Sequence, residues 1–311
     1  MSGRLRTTGR AATAALLVAG LTPGAAVAAP TSSAASTAAC QLQSGSVTAG
    51  GDHTARVITA GSPPTVLEKR RYTDIFPDGQ VRLSGLVAHD PVVDQFGGGY
   101  HGHVVMGAGL YRSFYLLTEA GEVDRSQALN DRIGGGWGEV TFLDSSYPKN
   151  PDPFALAHHY SLRADGTITR WDQRGSGWLN PRTASGFSAV KTMALISQTA
   201  TYDTFLANTR GGALYTIRLP KTSPLKPVVK KLRGTTWQGF DALIAERCGQ
   251  YGTLLLGIDK DTKSGYLYAV GHANGTATVI QGLGKVPAIF ADAVNFRYTK
   301  EPGEAPLLFG E

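Results

Sequence analysis

The chain of 311 residues carries a formal net charge of +6, with 17% charged residues, 42% hydrophobic residues and 39 glycines. A charge this mild, with one dense basic run at Lys226–Arg233 whose simplest reading is a solvated loop or strand edge, argues against a nucleic-acid partner. The low charged fraction and the glycine content argue against a helical or disordered body and for a turn-rich, extracellular β protein.

Residues 1–28 read as a secretory signal peptide. Arg4, Arg6 and Arg10 precede the apolar run AATAALLVAGL, Pro23-Gly24 breaks it, and Ala26-Val27-Ala28 supplies a small-x-small cleavage site. The run is shorter than the roughly 20 residues that span a bilayer, and no later stretch reaches that length, so no membrane insertion is expected. Loss of the three arginines lowers the net charge from +6 to +3. Residues 29–40, mostly small and polar, form a flexible linker, and 41–311 form a single domain. Thr37-Ala38-Ala39 makes a poor lipidation box before Cys40. Cys40 and Cys248 are the two cysteines, and an oxidising compartment favours their pairing.

The body repeats faintly. Five segments place a glycine between strand-like runs: PDGQV at Gly79, EAGEV at Gly121, ADGTI at Gly166, GGALY at Gly212 and SGYLY at Gly265. Each has the chemistry of a tight hairpin, with glycine supplying a positive φ and alternating apolar residues on both sides. A period in the forties with several short strands per unit predicts an all-β fold, a β-propeller of four-stranded antiparallel sheets. Five blades are expected, or six if residues 40–71 join 297–311 in a further sheet. The segment FDALIAER reads as a strand, because VTFLDSS and FSAVKTMALIS hold the same place in other repeats.

Tryptophans recur behind glycine-rich turns, at Trp137 in IGGGW, Trp178 in RGSGW and Trp237 in GTTW. The unit YSLRADGTITRWDQRGSGW, with a downstream phenylalanine, resembles the repeat of tachylectin-type lectins. That resemblance implies a five-bladed propeller binding N-acetylated amino sugars in clefts between neighbouring sheets. Carried onto this sequence, it makes Trp178 the platform of a sugar site, with Asp172, Ser176 and Asn180 as hydrogen-bonding groups, and Trp137, Tyr100 and Trp237 as platforms of other units. An indole or phenol covers the C–H face of a pyranose while amides and carboxylates meet its hydroxyls. The same rings have a plainer role open to them, packing between blades behind glycines that only make the turn.

Other chemistry is poorly supported. His101 and His103 share one strand face and lack a visible third zinc ligand, and His158-His159 lie on opposite faces. Asp259 and Asp261 begin a calcium-type loop that Lys263 spoils. No G-x-S-x-G elbow, Rossmann or P-loop pattern occurs. The expectation is therefore a secreted, non-catalytic carbohydrate-binding propeller without cofactor or metal, whose partners are glycans or glycosylated surfaces. The alternatives are an extracellular scaffold for protein binding and an extracellular glycoside hydrolase.

Overall fold

The computed structural model describes residues 39–89, 98–147, 156–175, 177–300 and 307–311. In chain order the strands are β1 (Gln41–Val47), β2 (His53–Thr59), β3 (Thr65–Tyr72), β4 (Val81–His89), β5 (Gly99–Met106), β6 (Gly109–Leu117) and β7 (Val123–Gly134). Then follow β8 (Val140–Ser146), β9 (Ala157–Arg163), β10 (Ile168–Arg174), β11 (Gly177–Ala184), β12 (Val190–Gln198), β13 (Tyr202–Thr209), β14 (Leu214–Pro220) and β15 (Val228–Arg233). The last are β16 (Ala242–Cys248), β17 (Gly252–Asp259), β18 (Ser264–Val270), β19 (Ile280–Lys285), β20 (Val294–Arg297) and β21 (Thr299–Lys300). No helix occurs among the described residues.

These strands build five antiparallel sheets. Blade I is β20-β1-β2-β3, blade II β4 to β7, blade III β8 to β11, blade IV β12 to β15 and blade V β16 to β19. The first strand of each sheet faces the axis, and β20, β4, β8, β12 and β16 touch in a closed ring. The fold is a five-bladed β-propeller, as the sequence predicts, and FDALIAER is the inner strand β16. The short β21 adds in parallel to the inner edge of blade II.

The two ends of the body do join, yet they complete the fifth sheet and not a sixth. β20 pairs with β1, Val47 opposite Val294, so blade I takes its inner strand from late in the chain. The Cys40–Cys248 disulfide, Cα atoms 5.4 Å apart, fastens the start of β1 to the end of β16 across the same seam.

The core lies between the sheets. Tyr160, Leu162 and Ile168 of blade III pack against Met193, Phe205 and Ile217 of blade IV, and Leu42 and Ile58 of blade I pack against Leu254, Leu256 and Phe290 of the blade V side. A single blade has no inner face of its own, so each hides its apolar residues only against its neighbours.

A repeat not visible in the glycine pattern governs the joints. The residue leading from one blade to the next is aromatic, and its backbone N–H donates to the carbonyl of the turn between the second and third strands of the blade just completed. The pairs are Phe76 to Gly51 (3.0 Å), Trp137 to Ala108 (3.1 Å), Phe187 to Gly166 (3.0 Å), Trp237 to Gly212 (3.0 Å) and Phe290 to Lys263 (3.0 Å). This corrects the predicted register. Gly166 and Gly212 do belong to second-to-third-strand turns and Gly265 follows such a turn as the second residue of β18, but Gly79 sits between blades I and II, and Gly121 joins the third and fourth strands of blade II. A Gly-centred turn has the same local chemistry whichever strands it connects.

Candidate functional site

Trp137 and Trp237 stand at these blade joints, whereas Trp178 lies within β11, the outermost strand of blade III. RGSGW and IGGGW are therefore not equivalent. Trp137, Trp237 and Tyr100 are enclosed, at 7%, 5% and 4% exposure, and serve in packing. Trp137 stacks on Trp171, Trp237 packs on Tyr268, and Tyr100 joins Tyr72 and Tyr298 through its hydroxyl at 2.9 and 2.8 Å.

Trp178 is half-buried and lies beside a cleft between blades II and III. One face of the indole stacks on the His159 imidazole, 4.0 Å between centroids and 5° from parallel, and the His103 ring meets it edge-on at 4.8 Å. Side chains alternate across a strand. Register pairs His101 with Phe114 and Leu129, and His103 with Arg112 and Asp131, so these residues share the face of blade II that looks toward blade III. On the opposing sheet, His159 lies opposite Trp171, and Gln173 opposite Trp178.

Asp172 and Asn180 face the other way. Asp172 bonds His158 Nδ1 at 3.0 Å and lies 3.6 Å from Arg170, toward blade IV, and the Asn180 amide reaches the same carboxylate at 3.5 Å. The structure thus separates Trp178 from Asp172 and Asn180 across the thickness of blade III. Ser176 lies outside the described residues.

Between blades II and III is a cavity of about 420 Å³, within the 300–1,000 Å³ span of ordinary small-molecule sites. Phe114, Leu129 and Ile133 give it an apolar wall, His101, His103 and Arg112 a polar one, and Tyr147 and Gln173 close it from blade III. Leu129 and Ile133 are 40% and 41% exposed, so the cavity opens at its outer end. Arg112 is held at the rim by Asp131 at 2.9 Å.

The deep end is polar and uncharged. Burial, reinforced by neighbouring His159, His101 and Arg112, holds the His103 pKa well below the usual imidazole value. Burial also brings His159 down to about 4, against an opposing hydrogen bond from Gln173. The Ser145 hydroxyl donates to His159 Nδ1 at 2.7 Å, and His159 Nε2 donates to Gln173 Oε1, a pattern that suits one neutral tautomer. Gln173 in turn donates to the Gly175 carbonyl at 2.8 Å. Two buried atoms, His103 Nδ1 and Trp178 Nε1, have no hydrogen-bond partner. Such orphans call for an explanation, a bound molecule among them. Among the described residues no three metal-ligating side chains converge.

Sequence reasoning noticed that His101 and His103 share a face but weighed them only as metal ligands. Phe114, Leu129, Tyr147 and Gln173 carried no local signal, because the cleft exists only once two sheets meet.

No protein-family model and no curated protein matches the chain. Among solved structures, the chain is similar to the BP39L lectin from Burkholderia pseudomallei, with 15% identity, a TM-score of 0.42, and 80% of this chain and 70% of that one covered. It is also similar to a Synechocystis apocarotenoid oxygenase mutant (10% identity, TM-score 0.36, 79% and 66% covered). BBS1N, from a complex with ARL6DN, follows at 11% identity and TM-score 0.34, with 75% and 70% covered. Similarity this low carries no functional argument.

Proposed function

We propose that this chain is an exported, non-catalytic carbohydrate-binding propeller that takes a glycan in the cleft between blades II and III. The observation carrying this reading is the amphipathic cavity itself: an apolar wall of Phe114, Leu129 and Ile133 faces a polar one of His101, His103 and Arg112, with His103 Nδ1 buried and unpartnered beside it. A pyranose has the matching character, C–H groups on one face and hydroxyls around its edge, and a hydroxyl can both donate and accept. Arg112 and Gln173 reach the rim, and Leu129 and Ile133 suit an acetyl methyl, which favours the N-acetylated amino sugars implied by the tachylectin-type resemblance. Trp178 acts by seating His159 and the edge of His103. The Cys40–Cys248 disulfide supports an oxidising destination.

A glycan array with the full chain tests the proposal, followed by titration of the best ligand into Leu129→Asp and Arg112→Ala, both at exposed positions, and Trp178→Ala. At least tenfold weaker binding is expected in each. An array on which the parent retains no glycan removes the reading. The enclosure of Tyr100, Trp137 and Trp237 favours the second reading, a scaffold that binds protein, and that reading stands if the array is empty.

A further inference from the structure

The axis-side edge of blade IV is covered by a segment of this chain. Residues 307–311 run along the axis-side edge of β12 as a short antiparallel addition, with Ser197 opposite Phe309. The Gln198 N–H donates to the Leu308 carbonyl at 2.9 Å and the Gly310 N–H to the Ile196 carbonyl at 2.8 Å. From the blade V side, the Ala273 N–H donates to the Gly310 carbonyl at 2.6 Å. Strand addition of this kind supplies affinity through the backbone and leaves specificity to the side chains.

Three positions are read individually. Leu308, 1% exposed, enters the core between blades III and IV, in the cluster that holds Phe205, Met193 and Leu195. A Cβ at Gly310 would lie 2.4 Å from Thr253 Oγ1 and 2.9 Å from the Ile196 carbonyl oxygen, so only glycine fits. The Glu311 carboxylate, 4% exposed, accepts from Thr204 Oγ1 at 2.6 Å and pairs with Arg218 at 3.2 Å and Lys230 at 3.9 Å. Thr204 and Arg218 are cross-strand partners, and the Arg218 guanidinium lies 4.1 Å over the Tyr202 ring, which holds it in place. A carboxylate withdrawn this far from water needs such partners. A stretch of chain that merely filled space would need only apolar side chains.

We propose that the axis-side edge of β12 is a peptide-binding site for an extended Leu-X-Gly-Glu segment, with its leucine pocket toward blade III and its carboxylate pocket toward blade V, filled in this structure by residues 308–311 of the same chain. The partner is a protein presenting that run in extended form. It competes with the resident segment, whose effective concentration, of millimolar order, sets the threshold for exchange.

The test uses the full chain with Leu308→Asp and Gly310→Val together, which expel the resident segment, and a fluorescein-labelled, C-terminally amidated Leu-Leu-Phe-Gly-Glu peptide followed by polarisation. Saturable binding is expected, at least tenfold tighter than to the unaltered chain. Peptides with Ala for Gly or Gln for Glu should bind at least tenfold more weakly. Adding Arg218→Glu should abolish binding of the parent peptide. A folded double variant that binds no peptide, or binds all three peptides alike, overturns the proposal. If the double variant does not fold, Glu311→Lys replaces it, since it releases only the ionic grip. Peptide binding at least tenfold tighter than to the unaltered chain is expected, and equal binding to both overturns the proposal.

Discussion

His53, His103, His158 and His159 are all buried, and burial is the leading cause that lowers the pKa of each, His53 to about 3 and His159 to about 4. In the unfolded chain these imidazoles titrate near pH 6.5. Between that pH and the lowered native values the unfolded state binds more protons than the native one, so stability is lost as the pH falls through this window. Each such histidine contributes a slope of about 1.4 kcal/mol per pH unit within it. Urea midpoints are expected to drop steeply from pH 7 to pH 5, and His53→Gln is expected to flatten the curve. A profile flat over that interval in the parent would contradict the burial. The same four side chains show what a sequence conceals at this scale. Alternation on a strand was enough to place His101 with His103, but it could not tell that His159 arrives from the next sheet to lie 5.0 Å from His103. The lectin-type resemblance puts Trp178 and Asp172 in one site. In the β10–β11 register Asp172 pairs with Leu179 and Gln173 with Trp178, so alternation leaves the Trp178 and Asp172 side chains on opposite faces.

Strands, turns and blade joints were unequally legible. The inner strands β8, β12 and β16 stood out because they are apolar runs bounded by turns, and the ADGTI turn is a true second-to-third-strand hairpin. The register of the first two repeats did not emerge, since PDGQV and EAGEV have the same turn chemistry as ADGTI while joining different strands. Their surroundings differ, and mutation can read the difference. Gly166 has φ +83°, and a Cβ there would lie 2.0 Å from the Ser188 backbone nitrogen, because the joint carrying Phe187 packs onto that turn. Gly121 has a similar φ, +78°, with open space around it. Gly121→Ala is therefore expected to cost about 1 kcal/mol of local strain, and Gly166→Ala several times more, measured as a difference in denaturation midpoint. Comparable losses in the two variants would mean that the blade joint does not bear on the turn. At the joint itself, Trp237→Ala is expected to destabilise by about 3–5 kcal/mol through the cavity it leaves among Phe240, Leu243 and Leu255.

For the molecule as a whole, the propeller could be read from the period alone, because a short sheet with apolar residues on both sides demands neighbours on both sides. That the two ends can join is also legible, but that they complete the fifth sheet is not, since pairing between β1 and β20 leaves no trace in the local pattern. The cysteines give a partial clue, and Cys40–Cys248 does span the seam, at a sequence separation of 208. In the chain-entropy model a loop of that size lowers the entropy of the unfolded chain by an amount worth about 5 kcal/mol. A large fall in melting temperature is expected on full reduction, and the same fall in the Cys40→Ser, Cys248→Ser double variant. No shift in either would show that hydrogen bonds alone secure the closure. The shared blade also bears on biogenesis. Strands β1 to β3 leave the ribosome early but lack their axial partner until Val294–Arg297 has been made, so nearly the whole polypeptide must be synthesised before the circle can shut. During that interval the first sheet presents an unpaired edge at Gln41–Val47, and a chain stalled late in translation would leave it open to mispairing with another nascent chain.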